Sequence, residues 1–123
     1  MYILLVDDDE LFLKTMRRFL TGRGHQLQTA ANGLEALEHM DEDLPELVIS
    51  DIQMPHMDGI ELLQRVQERY PAIPVVLLTG YGDARNAAAA FRHGAYGYLQ
   101  KPVEVEALLA GLKRFEDSQY RDN

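Results

Sequence analysis

Short apolar runs alternate with longer amphipathic stretches five times along this chain, and four of the runs end in a polar residue suited to phosphate or metal. Tyr2-Ile3-Leu4-Leu5-Val6 leads into Asp7-Asp8-Asp9, and Leu47-Val48-Ile49-Ser50 leads into Asp51. Val75-Val76-Leu77-Leu78 ends at Thr79, and Tyr98-Leu99-Gln100 ends at Lys101-Pro102. Such alternation marks βα units, because a parallel strand is reached only through a crossover, usually a helix. If the runs are parallel strands of one sheet, their carboxyl ends lie side by side. Carboxylates, a hydroxyl and an ammonium then converge on the crevice where open α/β sheets bind ligands. That is a phosphoryl site in outline.

The polarity of each run predicts its place in the sheet. The runs at 2–6, 47–50 and 75–78 are almost wholly apolar, as central strands buried on both faces must be. Gln26-Leu27-Gln28-Thr29 is the most polar and reads as an edge strand. Between the strands, apolar residues recur at helical spacing: Phe12, Met16, Phe19 and Leu20; then Leu62, Leu63, Val66 and Tyr70; then Val105, Leu108, Leu109, Leu112 and Phe115. Asn32 followed by Glu35 can start the second helix as a capping-box-like pair. Asp83 can cap the fourth helix and Gly94 can end it. That fourth stretch, Ala84 to His93, is rich in alanine and buries few large side chains, which makes it the most easily displaced element.

At 123 residues the chain is one domain, expected over 1–118, with 119–123 a frayed tail or the start of a linker. A chain this long buries roughly two-thirds of its unfolded surface, so it needs no disulfide or structural metal to fold. It has no cysteine, which suits a reducing compartment. A strand begins at once after Met1, leaving no space for a signal peptide, and no apolar run approaches the ~20 residues that span a bilayer. A cytoplasmic, soluble protein is expected. The formal net charge of −8 argues against direct nucleic-acid contact, which needs clustered cations. Lys14, Arg17, Arg18 and Arg23 form a small basic group that reads as a solvated helix face.

Asp7, Asp8 and Asp51 at neighbouring strand ends would repel one another, raising at least one pKa unless a cation sits among them. Oxygen ligands without His or Cys suit a hard ion, Mg²⁺ with Mn²⁺ as a possibility. Asp9 and Glu10 read instead as acids in a helix's first turn, favoured by its dipole. Asp51 stands alone after an apolar strand, as a carboxylate nucleophile would. Lys101 offers a point charge for a phosphate oxygen and Thr79 a hydroxyl donor. Backbone N–H groups after Asp51 and Thr79 could complete the cradle. Phosphoryl transfer asks mainly for such positioning and charge neutralisation.

Four ordered segments carry a resemblance. Leu5-Val6-Asp7-Asp8-Asp9, Asp51-Ile52-Gln53-Met54-Pro55-x-Met57-Asp58-Gly59, Leu78-Thr79-Gly80-Tyr81 and Gly94-Ala95-x-x-Tyr98-Leu99-x-Lys101-Pro102 resemble a response-regulator receiver domain, over roughly residues 2 to 116. The resemblance implies an α/β, flavodoxin-like three-layer sandwich around a five-stranded parallel sheet of order 2-1-3-4-5. It implies that Asp51 is the phosphoacceptor and that Mg²⁺ sits on Asp8, Asp51 and the backbone carbonyl of Gln53, with Asp7 acting through water. Lys101 would pair with the acceptor and then with its phosphoryl group. Thr79 would move to bond that group, Tyr98 would swing inward behind it, and the Lys101–Pro102 peptide would be cis. The implied partner is a sensor histidine kinase or phosphotransfer protein, and the implied role is a signalling switch rather than an enzyme. Phosphorylation adds about −1.5 to −2 charge units and three strong acceptors, which would shift the face made by the fourth helix, fifth strand and fifth helix. A phosphorylation-dependent homodimer through that face is a further expectation.

Positions that differ among receivers add expectations peculiar to this chain. Gln53 and Tyr81 would border the path of the hydrolytic water, with bulky Tyr81 slowing autodephosphorylation and Gln53 partly offsetting it. His56 reads as an exposed loop histidine, and His25, His39 and His93 as surface residues. Tyr96 could offer an aromatic to a partner or lie partly buried against the last helix. Two other classes compete. A haloacid-dehalogenase-type phosphatase would use Asp7 as nucleophile within Asp7-x-Asp9, although Leu11 breaks that motif. A receiver-like binding module that never takes phosphate would lack an acid, Thr or Lys that this chain keeps.

Overall fold

The computed structural model describes residues 1–80 and 84–121. Asp83 and Tyr81, expected to cap the fourth helix and to screen the site, lie outside the described residues. Among the described residues five strands alternate with five helices. They are β1 (Tyr2–Val6), α1 (Glu10–Gly22), β2 (Gln26–Ala30), α2 (Gly33–Glu42), β3 (Leu47–Asp51), α3 (Gly59–Arg69), β4 (Val75–Thr79), α4 (Ala84–Arg92), β5 (Gly97–Gln100) and α5 (Val105–Arg121). The strands form one parallel sheet in the order β2-β1-β3-β4-β5, with the polar β2 at an edge.

Alternate side chains of each central strand enter different cores. Leu4, Val6, Val48 and Leu77 pack with Leu62, Leu63 and Val66 of α3 and with Ala36, Leu37 and Met40 of α2. Ile3, Leu5, Ile49 and Leu78 pack with Met16 and Leu20 of α1 and with Leu108, Leu112 and Phe115 of α5. The sheet is therefore covered on both faces, which is why these strands read as unbroken apolar runs. Phe19 departs from its expected place in the α1 stripe: it is 42% exposed. Met16 and Leu20 already fill the face turned to the sheet, and Phe19 projects beside it.

Helix ends follow local chemistry. Asp9 caps α1 by accepting from the Leu11 and Phe12 N–H groups at 3.0 and 3.2 Å. Asn32 caps α2 through the Glu35 N–H at 2.9 Å, and Asp58 caps α3 through the Glu61 N–H at 2.8 Å. Helix α4 closes at Gly94, whose φ of +87° suits glycine. There the Gly94 N–H bonds Phe91 O and the Ala95 N–H bonds Ala90 O, a Schellman arrangement. Of the side chains described on α4, Ala90 is buried while Phe91 is 57% exposed. No helix among the described residues is long and apolar enough to cross a membrane.

Candidate functional site

Strand register assembles the site. Val6 pairs with Ser50, so the next residues, Asp7 and Asp51, are neighbours. Asp51 pairs with Leu78, one residue before Thr79. Thr79 pairs with Gln100, one residue before Lys101. The ladder continues past the strands through Ile52 N–H to Leu78 O at 3.1 Å and Lys101 N–H to Thr79 O at 2.8 Å. Four residues far apart in sequence thus reach one rim because three strand pairs keep register.

Lys101 ties the acids together. Its Nζ donates to Asp7 Oδ2 at 2.6 Å and to Asp51 Oδ2 at 3.1 Å, and it lies 4.9 Å from the centre of the Phe12 ring, a cation–π contact. The Asp7 side chain is fully enclosed, whereas Asp51 keeps 13% of its side chain exposed and Asp8 is exposed. Burial raises the Asp7 pKa above the ordinary carboxylate value; the Lys101 and Asp9 hydrogen bonds oppose this and the charge of Asp51 adds to it. Burial alone would lower the Lys101 pKa, but its hydrogen bonds to Asp7 and then Asp51 carry it above the ordinary lysine value.

Oxygen atoms of Asp7, Asp8 and Asp51 lie within 4.8 Å of one another. Three carboxylates against one ammonium leave an excess of negative charge, and the donor set is all oxygen, so a hard divalent cation fits. Asp7 fits as an indirect participant: its Oδ1 already accepts the Asp9 N–H at 2.9 Å and its Oδ2 accepts Lys101. Asp8 and Gln53 share a cleft with Ile52, Met54 and Asp58, so both border the open side of the site.

The expected backbone cradle is only partly present. The Ile52 N–H is committed to the sheet ladder, and the Gln53 N–H reaches Asp51 Oδ1 at 3.3 Å. Thr79 is 2% exposed, and its hydroxyl donates to Leu99 O at a long 3.5 Å. Tyr98 is 43% exposed and packs edge-on to Phe91, ring centres 5.2 Å apart. The Lys101–Pro102 peptide is cis.

The sequence matches the response regulator receiver domain over residues 3–113. The chain belongs to that family. It is 37% identical over 112 residues to the DNA-binding transcriptional regulator NtrC of Escherichia coli (strain K12), covering 91% of this chain and 24% of that protein. It is 40% identical over 111 residues to the transcriptional regulatory protein GlrR of the same strain, covering 90% of this chain and 25% of that protein. The chain therefore spans about a quarter of the length of these curated relatives. Among solved structures, a CheY-like receiver domain protein from Methanospirillum hungatei JF-1 is similar with a TM-score of 0.92 at 31% identity, covering 99% of this chain and 98% of that one. NtrX from Brucella abortus, in complex with ADP, has a TM-score of 0.90 at 31% identity, covering 98% of this chain and 28% of that one.

Several structural parts of this receiver's site escaped the sequence reading. Met57 is buried against Gly33, where an added Cβ would fall 2.8 Å from Met57 Cγ; this pins the loop after Asp51 to the start of α2. In that loop the exposed His56 adopts a positive φ of 68°. Gly59 lies so close under β3 that an added Cβ would stand 2.3 Å from Asp51 O. No periodicity signals such approaches. His25 also departs from expectation. Its side chain is only 10% exposed because it is enclosed between the start of β1 and α5. Tyr96 is 56% exposed and packs edge-on to Phe115, so it lies against the last helix with the rest of its ring open.

Proposed function

We propose that this receiver is a phosphorylation-driven switch of a two-component system in which Asp51 takes a phosphoryl group from a phosphohistidine. A sensor histidine kinase or phosphotransfer protein is the donor, and the setting is cytoplasmic. The carrying observation is the inequality among the carboxylates: Asp51 meets both solvent and Lys101, whereas Asp7 is fully enclosed. A nucleophile must reach its substrate. The enclosure of Asp7 therefore counts against the haloacid-dehalogenase-type reading, in which Asp7 attacks.

In the proposed step an Asp51 carboxylate oxygen forms a bond to phosphorus as the phosphorus–nitrogen bond of phosphohistidine breaks. The electron pair leaves with the imidazole, which takes up a proton. Mg²⁺, with Mn²⁺ as substitute, would be held by Asp8, Asp51 and the Gln53 carbonyl, with Asp7 acting through water; when bound it neutralises charge on the phosphoryl oxygens. Lys101 is within reach to follow those oxygens. Thr79 exchanges its long bond to Leu99 O for one to the phosphoryl group, and Tyr98 turns inward from Phe91. The α4–β5–α5 face shifts in consequence and can pair with a second copy. Tyr81 screens the hydrolytic water and Gln53 orients it. Residues 1–118 form the receiver unit, and α5 continues through Arg121. The names of the relatives support a place in a longer transcriptional regulator.

The deciding experiment is phosphorylation of Asp51→Asn and Asp7→Asn by acetyl phosphate with Mg²⁺, read as hydroxylamine-labile phosphate per chain. Uptake is lost in Asp51→Asn and retained in Asp7→Asn; the reverse result overturns the reading. Tyr81→Ala shortens the phosphoryl lifetime, and an unchanged or longer lifetime removes Tyr81 from this role.

A further inference from the structure

We propose that a second site, a cavity between β5 and α5, binds a planar aromatic carboxylate. The cavity is about 330 Å³, with Ile49 and Val76 of the sheet on one side and Leu108 and Leu112 of α5 on the other. An apolar cavity of about 150 Å³ is known to hold benzene, so this space accommodates two fused rings. It also falls within the size range of small-molecule sites, which pair apolar walls with a few placed polar groups.

Two glycines line this space from opposite elements. Gly97 opens β5 and Gly111 lies within α5. A Cβ at Gly97 would meet no heavy atom within 4 Å, and one at Gly111 would meet only Arg114 Nη2 at 3.9 Å. Neither glycine is there to relieve a close contact, as Gly59 is. Glycine within a helix or strand carries an entropic cost, and what its absent side chain leaves here is room between two backbones. That shape suits a flat ring better than a branched chain. Tyr96 and Phe115 line the same space, edge-on at 5.2 Å, and the 56% exposure of Tyr96 marks the side open to solvent.

Arg114 supplies the polar group. It lines the cavity, its guanidinium stands at the wall that Gly111 leaves bare, and it has no ion pair among the described residues. A guanidinium presents a fork that matches a carboxylate. In a chain of net charge −8, an exposed cation beside an apolar slot, with no carboxylate partner among the described residues, gives the slot charge complementarity to a carboxylate. The site is separate from the phosphoacceptor. Gly97 opens β5 and Lys101 follows its last residue, about 13 Å away at strand rise.

The test is calorimetric and NMR titration of the intact chain with 2-naphthoate and, as a neutral counterpart, 2-naphthalenemethanol. Saturable 2-naphthoate binding is expected, with shifts centred on Tyr96, Leu108 and Phe115. Gly111→Leu fills the slot and weakens both probes by about tenfold or more, while Arg114→Gln weakens 2-naphthoate by about tenfold and leaves the alcohol within about twofold. Gly97→Val fills the slot from the opposite wall, so a Gly111→Leu chain that fails to fold does not leave the question open. No saturable binding, or binding unaffected by both filling variants, overturns the site. Equal effects of Arg114→Gln on the two probes overturn the carboxylate. Binding is read without phosphorylation, so its failure is distinct from failure of the Asp51 reading.

Discussion

Asp7 has no solvent contact, and its charge is contested by its surroundings. Lys101 sits 2.6 Å away, yet burial prevails and the pKa is raised. The ionised form is thus less favourable in the folded chain than in the unfolded one. In metal-free protein Asp7→Asn is expected to stabilise the fold by ~1–2 kcal/mol in urea unfolding. Lys101→Ala removes the cation between two carboxylates and should destabilise by ~1–3 kcal/mol, reduced from a fully buried pair because Lys101 is partly exposed. Since the folded pKa of Lys101 is raised, its contribution is fully present below the ordinary lysine value and fades as pH climbs through the raised one. In the double variant the Lys101→Ala loss should shrink, because the buried charge it neutralised is gone. Strict additivity would show that Lys101 does not act through Asp7. The types and order of Asp8, Asp51, Thr79 and Lys101 were legible in the sequence. The Phe12 ring beneath Lys101 was not, because its position depends on how α1 meets a strand end some ninety residues later.

Between elements, close approach decides. The start of α3 touches the end of β3 at Gly59, where a side chain would meet Asp51 O at 2.3 Å, backbone that cannot turn aside. Gly59→Ala is therefore expected to cost ~2–4 kcal/mol in unfolding experiments and to lower phosphoryl uptake by displacing the Asp51 backbone. Normal uptake would mean that α3 absorbs the shift. His25 joins three elements at the opposite end of the sheet. It lies 3.1 Å from the Met1 amino group and 4.0 Å from Glu116 of α5, next to β2. Burial, then the Met1 ammonium, lowers its pKa, while Glu116 and Glu46 oppose. The fold therefore favours neutral His25. Above the ordinary histidine value both states are neutral and nothing is lost. As pH falls below it the unfolded chain takes up the proton first, and stability declines toward the lowered value. Wild type should lose ~0.5 kcal/mol more than His25→Gln between pH 7.5 and 5.5, by urea midpoint. Helix periodicity located α1 but placed Phe19 in the core, and the sequence reading put His25 at the surface. Neither burial is set by a residue's own helix or strand alone.

Across the molecule, a net charge of −8 opposes compaction, and the acids at one rim concentrate that effect. The screening length falls from about 10 Å at 0.1 M salt to about 3 Å at 1 M, so NaCl should raise the thermal midpoint in wild type. Mg²⁺ at millimolar concentration should raise it further at constant ionic strength, since a ligand of the folded state adds RT ln(1 + [L]/Kd). Asp8→Asn keeps the salt response and loses the Mg²⁺ increment. Equal Mg²⁺ increments in both proteins would leave Asp8 without a ligand role.

The alternation of apolar runs with helical stripes, and the polar residue ending each run, are local properties, and they determined the βα order and the candidate rim. Which acid is sealed and which is open was a tertiary outcome. Asp7 and Asp8 are adjacent and chemically identical, yet the fold buries Asp7 beside Lys101 and leaves Asp8 exposed. The contact beneath Asp51 at Gly59 and the space between Gly97 and Gly111 arise likewise, because approach and void depend on where distant backbones come to rest.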